Sequence, residues 1–530
     1  MPTDCISYQN SGYFSKLIVD YLNQEKEVQS FYHRFPTLEN FKFQIEEKAA
    51  NFSPENRKTL VTALKEQYNG FEISEATRQH IALLEDDNTF TITTGHQLNL
   101  FTGPLYFIYK IVSTINLVKQ LKSAYPDYNF VPVYWMATED HDFEEISYFY
   151  FKNKKIHWNR ESFGPVGRLS TEGLDEVFEV FSKELGIGNN ADHLRELFRK
   201  TYLEHSNLAN ATRFLVNKLF NEEGLVIVDG DDVSLKKLFV SFVKQEITEQ
   251  LSFKKVSETL KQFEKYEIQV NPREINLFYI EDNLRERIVF ENGKFQVNNT
   301  KISFTESELL SEIENHPNKI SPNVLLRPLY QEIVLPNLCY IGGGGEIAYW
   351  LELKSMFEAH QVTFPVLLLR NSVLLATEKQ IKKTDALNLS WADLFSKQTE
   401  LINRKTAEYS EHTLDFSEQK AFLKVQFEKL NQIATQTDKS FSGAVKAQET
   451  KQLKGLENLE KRLLKAEKKT HQDRLSRIVE IQNELFPNHS LQERKCNFSE
   501  YFVTNETNLT KKILALLNPL SSEFYIIPLQ

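Results

Sequence analysis

Cysteine is scarce in this 530-residue chain. Its three cysteines, Cys5, Cys339 and Cys496, lie far apart. That spacing suits neither a disulfide scaffold nor a zinc ribbon, and it predicts reduced thiols in a cytoplasmic protein. No apolar run is long enough to span a bilayer, so no membrane partner is expected. The opening MPTDCISYQNSGYFSKL lacks the basic and apolar regions of a signal peptide. No basic patch runs through the sequence, and the net charge is −10. A nucleic-acid backbone is therefore excluded as an expected partner. Glycine is low at 18 residues, against 39 Phe and 21 Tyr, so material for a large core is plentiful. With 41% apolar and 26% charged residues the composition is that of a globular protein. The length allows two or three domains.

What is present is organised around residues 91–145, TITTGHQLNLFTGPLYFIYKIVSTINLVKQLKSAYPDYNFVPVYWMATEDHDFEE. Thr89 to Thr94 is a β-branched run ending at Gly95, the pattern of a buried strand. Pro104 stands where a first helical residue should be. Ile108, Ile111, Val112, Ile115, Val118 and Leu121 then recur at helical spacing, and Tyr125-Pro126 stops the helix. Phe130 to Ala137 is almost continuously apolar, as a central parallel strand should be. It ends in Thr138-Glu139-Asp140-His141-Asp142-Phe143-Glu144-Glu145. Polar chemistry thus falls at the carboxyl ends of two strands, where open parallel sheets bind ligands.

The flanking sequence predicts an α/β core with additions. Residues 1–88 read as helical, with Ser53-Pro54 opening a helix that runs through Tyr68. Phe149 to Asn159 suits a hairpin at a sheet edge, where its lysines block aberrant pairing. Leu174 to Leu219 is helical, and Gly224 to Asp232 gives a short buried strand ending in acid. Across 265–305 the segments YEIQV, INLFYI, RERIVF and KFQVN, with the turn Asn292-Gly293, predict a small antiparallel insert. Leu338 to Ile341 and Phe364 to Leu369 read as further strands. In 376–488, Phe416, Leu423, Phe427, Leu430 and Ala434, then Leu453, Leu456, Leu463, Thr470, Ile478 and Leu485, predict two long helices joined near Asp438 to Gly443. Their stripe exceeds what one antiparallel hairpin buries, so the arm is expected to join two chains as a homodimer. The reading is therefore a Rossmann-like core with inserts over 1–375, a coiled-coil domain over 376–488, and a segment over 489–530 that returns to the core. Phe524 to Pro528 is its final strand.

Three stretches, GHQLNLFTGPLY from Gly95, VYWMATEDHDFEEI from Val133 and SPNVLLRPLYQEIVLPNLCYIGGGGEIAYWLELK from Ser321, resemble the cysteine-adding enzymes of bacillithiol biosynthesis, the BshC family. The resemblance covers essentially the whole chain, in order. It implies a Rossmann-like core with connecting inserts and a ligase that adds cysteine to glucosaminyl-malate. The cofactor implied is ATP, with Mg²⁺ accompanying it and no metal held by the protein. Two other readings stay open at this point: a nucleotidylyltransferase acting on another small acid, and a coiled-coil scaffold on a degenerate enzyme core. A scaffold has no need of EDHDFEE.

The candidate residues follow from chemistry. Asp140, His141 and Asp142 form a carboxylate–imidazole set suited to taking a proton from an ammonium, if the adjacent carboxylates raise one another's pKa; the bland alternative is a cap for the next helix. Gly95, His96, Gln97, Thr102, Gly103 and Tyr106 belong to a loop that leads into a helix N-terminus, a place for a nucleotide phosphate. His96 alone reads equally as a loop-holding histidine. Lys110, one turn after Tyr106, can reach a phosphate or carboxylate, although a snorkelling surface lysine is the simpler reading. Gly342, Gly343, Gly344, Gly345 and Glu346 form a glycine-rich turn into a helix, where backbone can approach a phosphate closely; such a run is also often a plain tight turn. Arg327 suits carboxylates, and its apolar flanks predict a partly buried, partnered side chain. Cys339, in an apolar strand, reads as a packed core thiol rather than a nucleophile.

Overall fold

The structure is a computed structural model that describes residues 4–504 and 508–529. The chain begins with β1 (Asp4–Ser7) and a series of helices that includes Lys16–Leu22, Leu38–Asn51, Pro54–Gln67 and Glu75–Leu83. The side chain of Ser53 caps the third of these, accepting from the Glu55 N–H at 3.2 Å. Then come β2 (Thr89–His96), a helix over Tyr106–Ala124, β3 (Asn129–Met136), the pair β4 (Tyr148–Phe151) and β5 (Lys154–His157), three helices, and β6 (Val226–Asp229). An antiparallel region follows: β7 (Leu277–Glu281), β8 (Leu284–Glu291), β9 (Lys294–Val297), β10 (Ser303–Phe304) and β11 (Ile320–Pro322). The core resumes with helix Leu326–Val334, β12 (Asn337–Gly342), helix Gly344–Trp350, β13 (Val366–Leu369) and β14 (Ser372–Thr377), and β15 (Glu523–Leu529) lies near the end of the chain.

The architecture is Rossmann-like. A five-stranded sheet runs in the order β13-β12-β2-β3-β6, with every neighbouring pair parallel. Its central strands are buried almost throughout, as expected when both faces are covered. Threonines pin the register from inside. Thr93 Oγ1 donates to Asn337 Oδ1 at 2.9 Å and Thr94 Oγ1 to the Ile341 carbonyl at 2.7 Å. Phe90, Ile92, Leu117, Leu121, Phe130, Leu338, Cys339 and Ile341 pack into one core with Phe41 and Ile45 of the N-terminal helices. Cys339 is fully buried, and burial pushes its thiol well above the usual range.

Several local expectations are corrected. The β2–β3 crossover helix begins at Tyr106, not Pro104, because Phe101, Thr102 and Gly103 all take positive φ in the loop before it. The hairpin β4–β5 forms a two-stranded sheet of its own rather than an edge of the main sheet. YEIQV is not a strand, because the backbone N–H groups of Gln269 and Val270 donate to the Glu352 carboxylate, at 2.7 and 3.3 Å, instead of to a neighbouring strand. The insert also reaches past residue 305, since β11 pairs antiparallel with β7 to complete a five-stranded sheet, β10-β9-β8-β7-β11. The closing strand forms where it was expected, as β15, which lies between β1 and β14.

Contacts divide the chain into two units, one built mainly from Tyr13–Leu375 with the chain from Leu491 onward, the other mainly from Ala376–Ser490. In the second unit, helices Ser417–Ala434 and Lys439–Thr470 form a coiled-coil hairpin. Lys420 pairs with Glu460 at 2.6 Å, while Phe427 and Ala434 pack with Val445. These partners converge toward the connection, so the helices are antiparallel. The turn is Thr435–Asp438, earlier than expected, because the Asp438 side chain caps the second helix through the Ser440 N–H at 2.8 Å. The second helix also stops at Thr470, and a separate helix, Gln472–Leu485, turns inward to bury Leu475, Ile478, Ile481 and Leu485.

Candidate functional site

A cavity of about 630 Å³ opens at the carboxyl ends of β2, β3 and β12, with the antiparallel insert as its opposite wall. That volume falls within the range of small-molecule sites. Parallel strands in one register end at one level, which is why residues far apart in sequence meet here.

On the sheet side, His96 is the last residue of β2 and is buried between Tyr106 and Phe107, at ring distances of 5.4 and 5.1 Å. Its Nε2 has no hydrogen-bond partner among the described residues. Burial, reinforced by the charges of Lys110 and Arg370, pushes the imidazole well below its usual range, so His96 is neutral at pH 7. Gln97 donates to Asp140 at 3.2 Å and to Glu145 at 2.8 Å. Tyr106 also lines the cavity; burial, then Glu346, pushes its phenol up to about 12.

Lys110 corrects the snorkelling picture. It is only 2% exposed, donates to the Gly95 carbonyl at 2.6 Å, and pairs with Glu346 at 2.7 Å. It is thus neutralised within the protein and is not a free cation for a substrate. Glu346 also accepts from Tyr340 Oη and from the Gly343 N–H, both at 2.8 Å. The glycine run is corrected with it. Gly342, Gly343, Gly344 and Gly345 do not line the cavity, and the Gly343 N–H meant for a phosphate already serves Glu346. Gly344 packs near Phe14 and Ile18 instead.

Asp140 and His141 line the cavity, whereas Asp142 does not; it caps the short helix Phe143–Ile146. The expected pKa direction for this acidic run is reversed. Burial alone would raise the Asp140 carboxyl, but the charges of Arg327 and Arg285, with hydrogen bonds from the His141 backbone N–H and from Gln97, hold it well below the usual range. Asp140 is therefore a permanently ionised group and a poor proton acceptor. Glu139 faces away, paired with buried Lys236 at 2.8 Å. Thr102 and Gly103 are likewise outside the cavity. They belong to a loop tied down by Asn497, which donates to the Phe101 carbonyl at 2.8 Å and to the Gly103 carbonyl at 2.5 Å.

Arg327 lines the cavity, partly buried as expected, but the expected partner is missing: no carboxylate among the described residues lies within ion-pair distance. Exposed Arg273 and half-buried Arg287, two cavity residues that sequence reasoning overlooked, likewise have no carboxylate within ion-pair distance among the described residues. Arg285, also overlooked, contacts His141. A signal for two of them existed. Arg285 and Arg287 are two apart on β8 and so share one face of the strand. Arg370 was also missed as a second layer. It is held by Glu493 at 2.7 and 3.0 Å and sits over the Tyr106 ring at 5.2 Å.

A parallel α/β sheet with a polar crevice at its strand ends, closed by an arginine-bearing insert, defines a Rossmann-like fold with a cavity at the place where such sheets bind small molecules. Residues 1–371 match the family described as "Bacillithiol biosynthesis BshC, N-terminal Rossmann-like domain", and residues 373–529 match its "C-terminal coiled-coil domain". The chain belongs to this BshC family and is an enzyme of the ligase class. It is 65% identical to a Flavobacterium johnsoniae protein over 99% of this chain and 100% of that one. It is 56% identical to a Christiangramia forsetii protein over 99% of each chain, and 30% identical to one from Bacillus anthracis over 92% of this chain and 93% of the other. All three relatives bear the name "Putative cysteine ligase BshC".

Proposed function

We propose that this protein is a cytoplasmic ligase that uses ATP to join the carboxylate of cysteine to the amine of glucosaminyl-malate in bacillithiol biosynthesis. The observation that supports this most directly is the set of three guanidinium groups, Arg273, Arg287 and Arg327, that line one cavity without an internal ion-pair partner. Arg273 is exposed, but Arg287 and Arg327 are half-buried, and half-buried cations are normally paired. Unpaired ones facing a cavity suit a polyanion, and the reaction brings two: a nucleotide triphosphate and a malyl dicarboxylate.

ATP, as co-substrate, supplies the leaving group. The cysteine carboxylate oxygen bonds to phosphorus as pyrophosphate or ADP departs. The acceptor ammonium gives one proton to solvent, its nitrogen then bonds to the acyl carbon as AMP or phosphate leaves with that oxygen, and the second proton passes from the nitrogen to solvent. Ionised Asp140 holds and orients the acceptor's ammonium. Neutral His96 offers a hydrogen bond to an oxyanion. Mg²⁺ enters with the nucleotide, held by its phosphates.

Purified protein given ATP, cysteine and glucosaminyl-malate should form the cysteinyl amide, read by mass spectrometry, with one nucleotide consumed per amide. Amide formation without nucleotide would remove ATP from this reading. Pyrophosphate release with a small acid other than cysteine, and no amide, would select the nucleotidylyltransferase instead.

The arm has its own partner in this proposal. Phe422 is 68% exposed, Val425 51% and Ile433 55%, along one helix of the hairpin. We assign a second copy of the chain to that stripe. Sedimentation at micromolar concentration should show a dimer, and a monomer would end the assignment.

A further inference from the structure

Arg285 and His141 meet across the crevice in a way that fixes the position of a proton. Arg285 comes from β8 of the insert and His141 from the loop after β3, and Arg285 Nη1 lies 2.7 Å from His141 Nδ1. A guanidinium offers donors only, so Nδ1 must present its lone pair. In a neutral imidazole the hydrogen then sits on Nε2. The other candidate partner for Nδ1 is Asp140 Oδ1 at 3.6 Å, which is beyond hydrogen-bond reach. That oxygen already accepts the His141 backbone N–H at 2.8 Å. Arg285 is itself held in place. It is buried, and its guanidinium lies on the face of Phe278 at 3.9 Å. The same Phe278 ring packs against the His141 ring at 5.7 Å.

We infer that Arg285 is a positioning residue for His141, holding the imidazole with its hydrogen on Nε2. His141 is then a hydrogen-bond donor to a carboxylate or phosphate oxygen in the crevice, and not a base. The inference rests on the crevice being the reaction site. It gives the insert a specific role, because with Arg285 on β8 only a seated insert presents His141 in the donor form. Its chemistry complements that of the sheet wall. The three free guanidinium groups neutralise the charge of an anion, while an Nε2–H donor is directional and selects one oxygen.

Two measurements test this. The first is the imidazole ¹⁵N spectrum of full-length protein labelled at histidine, with His141 assigned by the signals lost in His141→Gln. The expected result is an unprotonated Nδ1 and a protonated Nε2, becoming a tautomer mixture in Arg285→Met. A protonated Nδ1 in the unsubstituted protein overturns the inference, and that experiment needs no variant at Arg285 to fold. The second is the amide-forming rate. His141→Asn, whose amide cannot reach the Nε2 position, should lower kcat about 10²-fold, as loss of one oxyanion donor does. Arg285→Met should approach that loss, and Arg285→Lys, which still donates, should restore most of the rate. In a His141→Gln background, where there is no tautomer to choose, Arg285→Met should add little. Equal losses in both backgrounds overturn the positioning role. If the spectrum is as expected but no substitution at either residue changes the rate, the donor role is overturned and the crevice is not the reaction site.

Discussion

On the sheet side of the crevice Lys110 is buried and neutralised by Glu346, whereas on the opposite side Arg273, Arg287 and Arg327 have no carboxylate within ion-pair distance among the described residues. Both walls carry cationic residues, yet only one offers positive charge without an ion-pair partner among the described residues. The difference lies in what folding demands of each residue. Lys110 sits on a helix buried on nearly all sides, and a cation there is tolerable only with a partner. Arg287 sits on the antiparallel insert and Arg273 in the loop that leads into it, while Arg327 is the half-buried residue at the start of an otherwise buried helix; all three line the cavity, where solvent or a ligand can serve them. A charged residue in such a site is therefore read by its partner and not by its type.

The sharpest way to break this comparison is to exchange each cation for methionine. Arg327→Met removes a charge that has no carboxylate within ion-pair distance among the described residues, so kcat/KM for amide formation should fall about 10²-fold or more while the unfolding midpoint moves less than in Lys110→Met. Lys110→Met should do the reverse first. It strands Glu346, and the urea-unfolding free energy should drop by about 2–3 kcal/mol, less than the ~3–5 kcal/mol of a fully buried pair, because the Glu346 side chain keeps 29% exposure and two other donors. If Arg327→Met destabilises as much as Lys110→Met, the distinction between a structural and a ligand-facing cation fails.

A smaller effect concerns how the insert wall is anchored. Glu352 holds the segment Gln269–Val270 that leads to Arg273, and burial pushes its carboxyl up to about 7. In the unfolded chain it titrates near 4.5. Between those values the folded state keeps a proton that the unfolded state has lost. Glu352 therefore contributes stability below pH 4.5 that disappears as pH rises through 7. In Glu352→Gln, stability measured by urea unfolding should vary less between pH 5 and pH 8 than in the unsubstituted protein. The difference should be on the order of 1–3 kcal/mol. An unchanged difference would show that the carboxylate does not titrate there.

Much of the core was legible because its signals are local. β-branched and apolar runs marked β2 and β3, the helical spacing from Ile108 to Leu121 marked the crossover, and the heptad spacing marked the arm. The places where the reading slipped share a cause. YEIQV has a strand's composition, but strand formation needs a neighbour, and Glu352 took the backbone donors instead. Thr102, Gly103, Asp142 and the Gly342–Gly345 run have the composition of a ligand loop, yet Asn497, a helix end and Glu346 use that capacity internally.

The sequence by itself determined that two strands end in polar residues and that a small antiparallel insert and a heptad arm follow. Periodicity of two, 3.5 or 3.6 is a property of neighbours along the chain. It could not determine which of those polar residues remain free. That depends on distances between residues such as Lys110 and Glu346, or Arg285 and His141, more than a hundred positions apart. Only the tertiary structure decided that Asp140 is an ionised anchor and that the insert's arginines face the crevice. Charge state and hydrogen-bond role are set by burial and by the nearest partner in space, and neither is encoded in any single stretch of chain.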